Sequence, residues 1–281
     1  MQLIDGKALA NKIHAEVASE VEKLKQEENI VPGLAVILVG DDPASHAYVK
    51  MKAKACEKVG FYSITHNMPD TISQDEIIAT IEMMNNNPRI DGILVQLPLP
   101  KHIDTNKILE VIDPKKDVDG FHPYNVGRLA TNLDGFVPCT PLGVMKMFEE
   151  YDIDLEGKDV CVVGASNIVG KPMAALLLNA NATVTVTHIY TKDLKAHTSK
   201  ADIVIVGVGV PALIKEDMVK DGAIVIDIGI NRIEDGSLVG DVDFKAVSPK
   251  CSYITPVPGG VGPMTIAMLL SNTLKAAKAR A

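Results

Sequence analysis

The sequence has no tryptophan, and Phe, Tyr and Trp together make up only 4 % of its 281 residues. Base-stacking platforms for nucleic acid are built from such side chains, so there is little material for one. A cationic excess is missing too. The formal net charge is −8, whereas holding a phosphate backbone calls for a basic face. These two absences exclude nucleic-acid binding as the main theme. Long apolar runs are also absent: Ala201–Pro211 and Ala223–Ile230 fall well short of the roughly 20 residues of a membrane span. The opening residues, MQLIDGKALANKIH, carry no apolar stretch behind a basic start, so no signal peptide is expected. Cys56, Cys139, Cys161 and Cys251 are scattered, with no C-x-x-C spacing. That argues against a disulfide framework or a zinc site and for reduced, buried thiols in a cytoplasmic protein with no metal.

What is present is ordinary globular material, 47 % hydrophobic and 23 % charged, in a length that suits about two domains. Helical and strand patterns alternate. Leu9, Ile13, Val17, Val21 and Leu24 recur at helical spacing, and Gly33–Gly40 reads as a buried strand. A helix is expected from about Pro43 to Lys58, a strand at Tyr62–Met68, a helix at Asp75–Asn86 and a second buried strand at Gly92–Leu97. Asp104 or Thr105 suits the cap of a short helix ending near Ile112. Apolar periodicity lapses between Asp119 and Thr140, which predicts a boundary there. Beyond it Thr140-Pro141 is a helix start. Lys158–Gly164, Ala182–Thr187, Ala201–Val208 and Ala223–Ile230 then read as near-continuous apolar strands. Asn231–Phe244 alternates around Asp235-Gly236, a hairpin signal. Tyr253–Pro263 is a Pro/Gly-rich loop, and an amphipathic helix runs from about Met264 to Ala279. Strands alternating with helices imply parallel sheets with covered faces.

The strand Lys158–Gly164 runs directly into Gly164-Ala165-Ser166-Asn167-Ile168-Val169-Gly170 and a helix. Gly164 permits a tight turn, Gly170 permits close helix–strand packing, and the helix N-terminus offers N–H groups to a pyrophosphate. The spacing is G-x-S-x-x-x-G rather than G-x-G-x-x-G, so the strand–turn–helix context carries the dinucleotide reading against a purely structural loop. An NAD site usually has an acid near the end of the next strand. Here that stretch is Thr187-His188-Ile189-Tyr190-Thr191-Lys192, with no acid before Asp193. The absence leans towards NADP, and with no arginine present a 2′-phosphate would fall to Ser166, His188, Thr191 or Lys192.

Tyr48 and Lys52, four apart on a predicted helix, share a face. A lysine at a buried edge can shuttle protons, with Tyr48 placed to hold it by a hydrogen bond. Yet Lys50, Lys52, Lys54 and Lys58 crowd that helix, and the residue pattern alone favours a solvated face. Gln96 closes an apolar strand before Leu97-Pro98-Leu99-Pro100. Ligands bind beyond the carboxyl ends of parallel strands, so Gln96 is either a site residue or a satisfied strand-end amide. Asp119 precedes a glycine, where a turn-forming aspartate is the usual explanation. Pro256–Pro263 is constrained enough to wall a pocket with backbone groups, and Pro98 or one of its prolines is a candidate for a cis peptide.

Several long motifs in order, DDPASHAYVKMKAKACEKVG, VQLPLP, KDVDGFHP, VGASNIVGKP, VIDIGIN and ITPVPGGVGPMT, resemble the bifunctional methylenetetrahydrofolate dehydrogenase/methenyltetrahydrofolate cyclohydrolase family over essentially the whole chain. The resemblance implies an α/β protein of two lobes: an N-terminal substrate lobe over 1–120, a Rossmann-like NAD(P)-binding lobe over 140–263, and a connector at 121–139. The C-terminal helix, 264–281, returns to the first lobe. It also implies a cytoplasmic homodimer joined through the cofactor lobes. The activity it implies is oxidation of 5,10-methylenetetrahydrofolate with NADP, then hydrolysis to 10-formyltetrahydrofolate.

By the same resemblance Lys52 is the catalytic lysine, Tyr48 its partner, Gln96 the glutamine beside it and Asp119 the acid that binds the pterin ring. Pro258, Gly259 and Gly260 join the substrate residues. Gly164, Ala165, Ser166, Gly170, Ile189 and Ile230 fall on the cofactor segments. Ala165 and Ile189 stand where one relative or another has an arginine, which leaves the choice between NADP and NAD open. A dehydrogenase of another small substrate, a single-activity family member and a non-catalytic binding protein are the competing readings.

Overall fold

The computed structural model describes residues 1–280. In chain order the first elements are β1 (Gln2–Leu3), α1 (Gly6–Glu28), β2 (Gly33–Val39), α2 (Pro43–Val59), β3 (Tyr62–Met68), α3 (Gln74–Asn85), β4 (Gly92–Val95), α4 (Thr105–Val111), α5 (Pro123–Ala130) and α6 (Cys139–Glu150). There follow β5 (Asp159–Val163), α7 (Gly170–Asn179), β6 (Thr183–Thr187), α8 (Leu194–Thr198), β7 (Ile203–Val206), β8 (Ile224–Asp227), β9 (Asn231–Arg232), β10 (Leu238–Val239), α9 (Phe244–Val247), β11 (Tyr253–Ile254) and α10 (Val261–Lys278). The chain divides into two compact units.

One unit comprises Asn11–Arg128, Leu133–Cys139 and the C-terminal segment from Ile266. Its sheet has the order β3-β2-β4, all parallel. Every residue of the central strand β2 is buried, as coverage on both faces requires, and so is every residue of β4, whose outer side is bridged by Asp117. Ala35, Ile37 and Val39 pack with Ile93, Val95, Ile77, Ile81 and Ile108. The helices around this sheet are stopped by local chemistry. Asp42 caps α2 by accepting from the Ser45 amide at 2.8 Å, and Gly60, at φ 83°, ends it. Ser73 and Glu76 form a capping box on α3. Asp104, not Thr105, caps α4.

The C-terminal helix belongs here from Ile266 onward. Lys278 pairs with Glu20 at 2.7 Å, and Arg280 Nε reaches the buried Asp91 carboxylate at 2.8 Å. Of the expected span 264–281, Ala281 lies outside the described residues. The helix starts at Val261, because Pro263 in the first turn gives up no hydrogen bond.

The other unit, Met1–Ala10, Leu129–Asn132 and Thr140–Thr265, holds a parallel six-stranded sheet in the order β1-β11-β8-β7-β5-β6. Cys161, Val163, Val204, Val206, Val225 and Ile254 form its core. The Asp235-Gly236 signal is a real hairpin, β9 against β10. Several expectations are corrected. The first ten residues, counted above with the substrate lobe, put β1 beside β11. The 253–263 loop opens with that strand β11. The 121–139 connector contains α5. Two-residue strands and an eight-residue helix carry too little periodicity to be read; their partners place them. All four cysteines are free and buried.

Candidate active site

In the three-stranded unit the helix α2 buries Ser45, Val49, Lys52, Cys56 and Val59. Those positions recur every three or four residues, so Lys52 occupies a place in the apolar stripe itself. It is only 8 % exposed, while Lys50, Lys54 and Lys58 face solvent. The solvated reading of this helix therefore fails for Lys52 alone. Its Nζ donates to Gln96 Oε1 at 3.0 Å.

Gln96 sits just past β4. Its backbone N–H donates to Ile37 O at 2.9 Å, and its Nε2 donates to Leu97 O at 2.8 Å. The amide's donor side is thus engaged and its oxygen is left for the ammonium. Leu97–Pro98 is cis. Tyr48 lies one turn before Lys52, 37 % exposed, and burial raises its phenol above the usual value. The hydrogen bond that fixes Lys52 comes from Gln96, not from Tyr48 as expected.

The turn reading given to Asp119 belongs to Asp117. That carboxylate is buried and accepts from the Phe121 amide at 3.1 Å, the His122 amide at 2.9 Å and Asn125 Nδ2 at 2.8 Å. Gly120 takes φ 72°, and a Cβ there would lie 2.6 Å from Pro138 N, so glycine is obligatory. With Asp117 folding the turn, Asp119 is left as a half-buried acid. Burial raises its carboxyl, opposed by the charge of Lys52 and a hydrogen bond from Cys139. Lys52, Gln96 and Asp119 thus form one polar cluster, with Tyr48 on the same helix as the lysine.

In the six-stranded unit β5 is flanked by β6 and β7, the two strands that follow it in sequence. This is the point where strand order reverses, and ligands bind outside the carboxyl ends there. Gly164, at φ 117°, closes β5, and a Cβ on it would meet Gly207 O at 2.7 Å; a Cβ on Gly170 would lie 2.0 Å from Gly164 O. Two glycine turns therefore touch at the switch point, with helix α7 drawn in against them. The N-terminus of α7 is not bare, as had been expected. Ser166 Oγ accepts from the Val169 amide at 3.1 Å and the Gly170 amide at 3.4 Å. Ala165 lies between, partly exposed.

At the end of β6, the His188 amide donates to Thr191 Oγ1 at 2.9 Å, and Ile189 is 91 % exposed. Asp193, the first acid after the strand, is occupied as the cap of α8, accepting from Ala196 N. Ile230 beyond β8 is partly exposed and meets Gly262. In the Pro258–Gly260 turn, Val257–Pro258 is cis, Gly259 O accepts from the Lys7 amide at 2.9 Å, and Gly260 packs on Pro256 O.

Family models match both stretches: the tetrahydrofolate dehydrogenase/cyclohydrolase catalytic domain over residues 4–119, and the NAD(P)-binding domain of the same family over 138–281. The chain belongs to the tetrahydrofolate dehydrogenase/cyclohydrolase family. It is 89 % identical over 281 residues, the full length of both chains, to the bifunctional protein FolD of Sulfurovum sp. (strain NBC37-1). The crystal structure of the bifunctional FolD dehydrogenase/cyclohydrolase of Campylobacter jejuni superposes with a TM-score of 0.99 at 59 % identity, covering 100 % of both chains. That of the Trypanosoma brucei enzyme, complexed with NADP and an inhibitor, gives 0.95 at 39 % identity over 99 % of this chain and 97 % of that one.

Sequence reasoning missed residues that support this family's two lobes. Asp227 and Asp241 are buried beneath the loops of the cofactor lobe, and Asn272 is buried on α10. An aspartate inside the apolar run Ile224–Ile230 was the one signal available for the first.

Proposed function

We propose that Lys52 is the proton-transferring residue of a protein that oxidises 5,10-methylenetetrahydrofolate to the methenyl form and hydrolyses that to 10-formyltetrahydrofolate. The observation that carries this is Lys52 buried in the apolar stripe of α2 with its ammonium on Gln96. The cofactor lobe fits a dinucleotide, because the Gly164 and Gly170 turns let helix α7 close on the carboxyl end of β5 at the switch point, where a pyrophosphate binds. A bound NADP would supply the acceptor for the hydride that leaves the one-carbon bridge. The carbon left behind is stabilised by its two nitrogens, so this step asks for positioning rather than a strong base. Asp119 supplies that positioning by accepting from the pterin amino and ring N–H groups.

In the second step water adds to the methenyl carbon. One of its protons is released to solvent; the bond from carbon to the N5 nitrogen then breaks as the remaining hydroxyl proton leaves and N5 gains a proton, so the oxygen becomes the formyl carbonyl and the formyl group stays on N10. Lys52 serves these transfers, held by Gln96 and flanked by the protonated Tyr48. Pro258, Gly259 and Gly260 contribute backbone groups towards substrate. Gly164, Ala165, Ser166, Gly170, Ile189 and Ile230 line the cofactor. NADP is favoured over NAD because no acid stands at the end of β6, and the first to follow, Asp193, caps α8. The four buried free thiols suit the cytoplasm. Among the described residues no helix is long and apolar enough to cross a membrane. The protein acts as a homodimer, with the exposed edge strand β6 as the contact.

Lys52→Met tests the assignment. Hydrolysis of methenyltetrahydrofolate is expected to fall by about a hundredfold or more, with the NADP dissociation constant unchanged. Hydrolysis at the parent rate would refute the role of Lys52.

A further inference from the structure

Two buried carboxylates without a cationic partner among the described residues underlie the carboxyl ends of β7 and β8. Asp241, 0 % exposed, accepts through Oδ2 from the amides of Val208 at 2.6 Å and Gly209 at 3.0 Å, and through Oδ1 from Asn231 Nδ2 at 2.8 Å. Asp227, 3 % exposed, accepts from the amides of Gly229 at 2.9 Å, Asp241 at 3.0 Å and Val242 at 2.9 Å. Its own amide donates to Thr255 Oγ1 at 2.7 Å.

The two acids are interlocked. A Cβ on Gly229 would lie 2.3 Å from Asp241 Cγ, and one on Gly240 would lie 1.9 Å from Asp227 Oδ2. Each carboxylate therefore fills the space left by a glycine in the other's loop. Burial, with Asp241 beside it, pushes the Asp227 carboxyl up to about 6. Burying two like charges is costly, and a turn that only had to be closed needs one such acceptor, not an interlocked pair.

What the pair holds is an exposed apolar edge. Val208, Val210 and Ile230 are 37 %, 46 % and 40 % exposed, apolar side chains beyond the ends of β7 and β8. The Gly207 turn at the base of this edge touches Gly164 at the switch point. A flat aromatic ring matches such an edge, and in a dinucleotide bound at the switch point the phosphates lie over the Gly164 turn.

We propose that Asp241, backed by Asp227, is a positioning residue for the nicotinamide end of the cofactor. By taking the Val208 and Gly209 amides and the Gly229 turn, the pair fixes the edge formed by Val208 and Ile230 at the height the ring requires. The proposal rests on the NADP-dependent reading above. It predicts that damage to the pair is felt in hydride transfer and not in the hydrolytic step, which the Lys52 cluster serves.

Asp241→Asn is the test. An amide cannot accept from the Val208 and Gly209 amides through one end and from Asn231 through the other, because one end is a donor. The dehydrogenase kcat/KM for NADP is expected to fall about tenfold or more, through both KM and kcat, while hydrolysis of methenyltetrahydrofolate stays within about twofold of the parent. Asp227→Asn sets its NH2 group against the Val242 backbone N–H when its oxygen keeps the Gly229 and Asp241 amides. It should lower the same activity, and it carries the test if Asp241→Asn does not fold. A parallel fall in both activities would make the pair a brace of the fold only, and an unchanged dehydrogenase would remove the proposal. Absence of NADP-dependent oxidation in the parent protein would instead defeat the reading on which it rests.

Discussion

Asp117 and Asp119 lie two residues apart and are used in opposite ways. Asp117 spends its carboxylate on the amides that fold its own segment, which leaves Asp119 for a ligand. No pattern distinguishes them in the sequence; both precede small or apolar residues, and only the geometry of the Gly120 turn decides. Lys52 was legible in a different sense. Its place in the stripe of Val49, Cys56 and Val59 is a spacing that can be read, but three neighbouring lysines obscured it.

The burial of Asp117 has a measurable consequence. Its carboxyl is raised to about 6, chiefly by desolvation, against about 3.9 in an unfolded chain. Between those values the native state keeps a proton that the unfolded state has lost. This group's contribution to stability is therefore fully present below about pH 4 and is lost as pH rises towards about 6. Asp117→Asn removes that dependence. Urea midpoints of parent and variant at about pH 4.5 and about pH 6.5 should show a shallower decline in the variant. Equal declines would mean that Asp117 does not titrate in this range.

At the scale of elements, the buried strands were legible because β2, β4, β5, β7 and β8 are nearly continuous apolar runs, and their ends shifted by only a few residues. β1, β11 and α5 were not, since their positions are set by pairing and packing rather than by periodicity. The last helix was visible as a helix, but its task was not. From α10, Asn272 Nδ2 donates to Val118 O at 2.8 Å and Val137 O at 3.0 Å, tying together the segments that precede Asp119 and Cys139. Asn272→Leu would leave both carbonyls without that donor in a buried place and let Asp119 move. Misplacement of a positioning group by a fraction of an ångström is enough to slow a reaction. We expect the KM for the folate substrate to rise about tenfold, with NADP affinity unchanged in a direct titration. An unchanged folate KM would show that Asp119 holds its place without the helix.

At the scale of the whole molecule, the −8 net charge excluded nucleic acid but said nothing about self-association, which depends on one edge. In the six-stranded sheet β1 closes one side with only two residues, whereas β6 leaves five, Thr-Val-Thr-Val-Thr, unpaired on the outer side. All five are β-branched and none is charged. Val186 is 38 % exposed, and just beyond it Ile189 and Tyr190 are 91 % and 85 % exposed. The edge strand β3 of the smaller sheet differs: it carries His66 and Asn67 and is mostly half-buried. Edge strands that stay free are blunted by lysine, proline or a bulge; β6 has none of these. A second copy pairing along β6 would cover the apolar residues and satisfy the open backbone groups at once. Val186→Lys places on that strand the residue type that blunts edges elsewhere. Sedimentation at micromolar concentration should then report a dimer for the parent and a monomer for the variant. A variant that remains dimeric would put the contact on another surface.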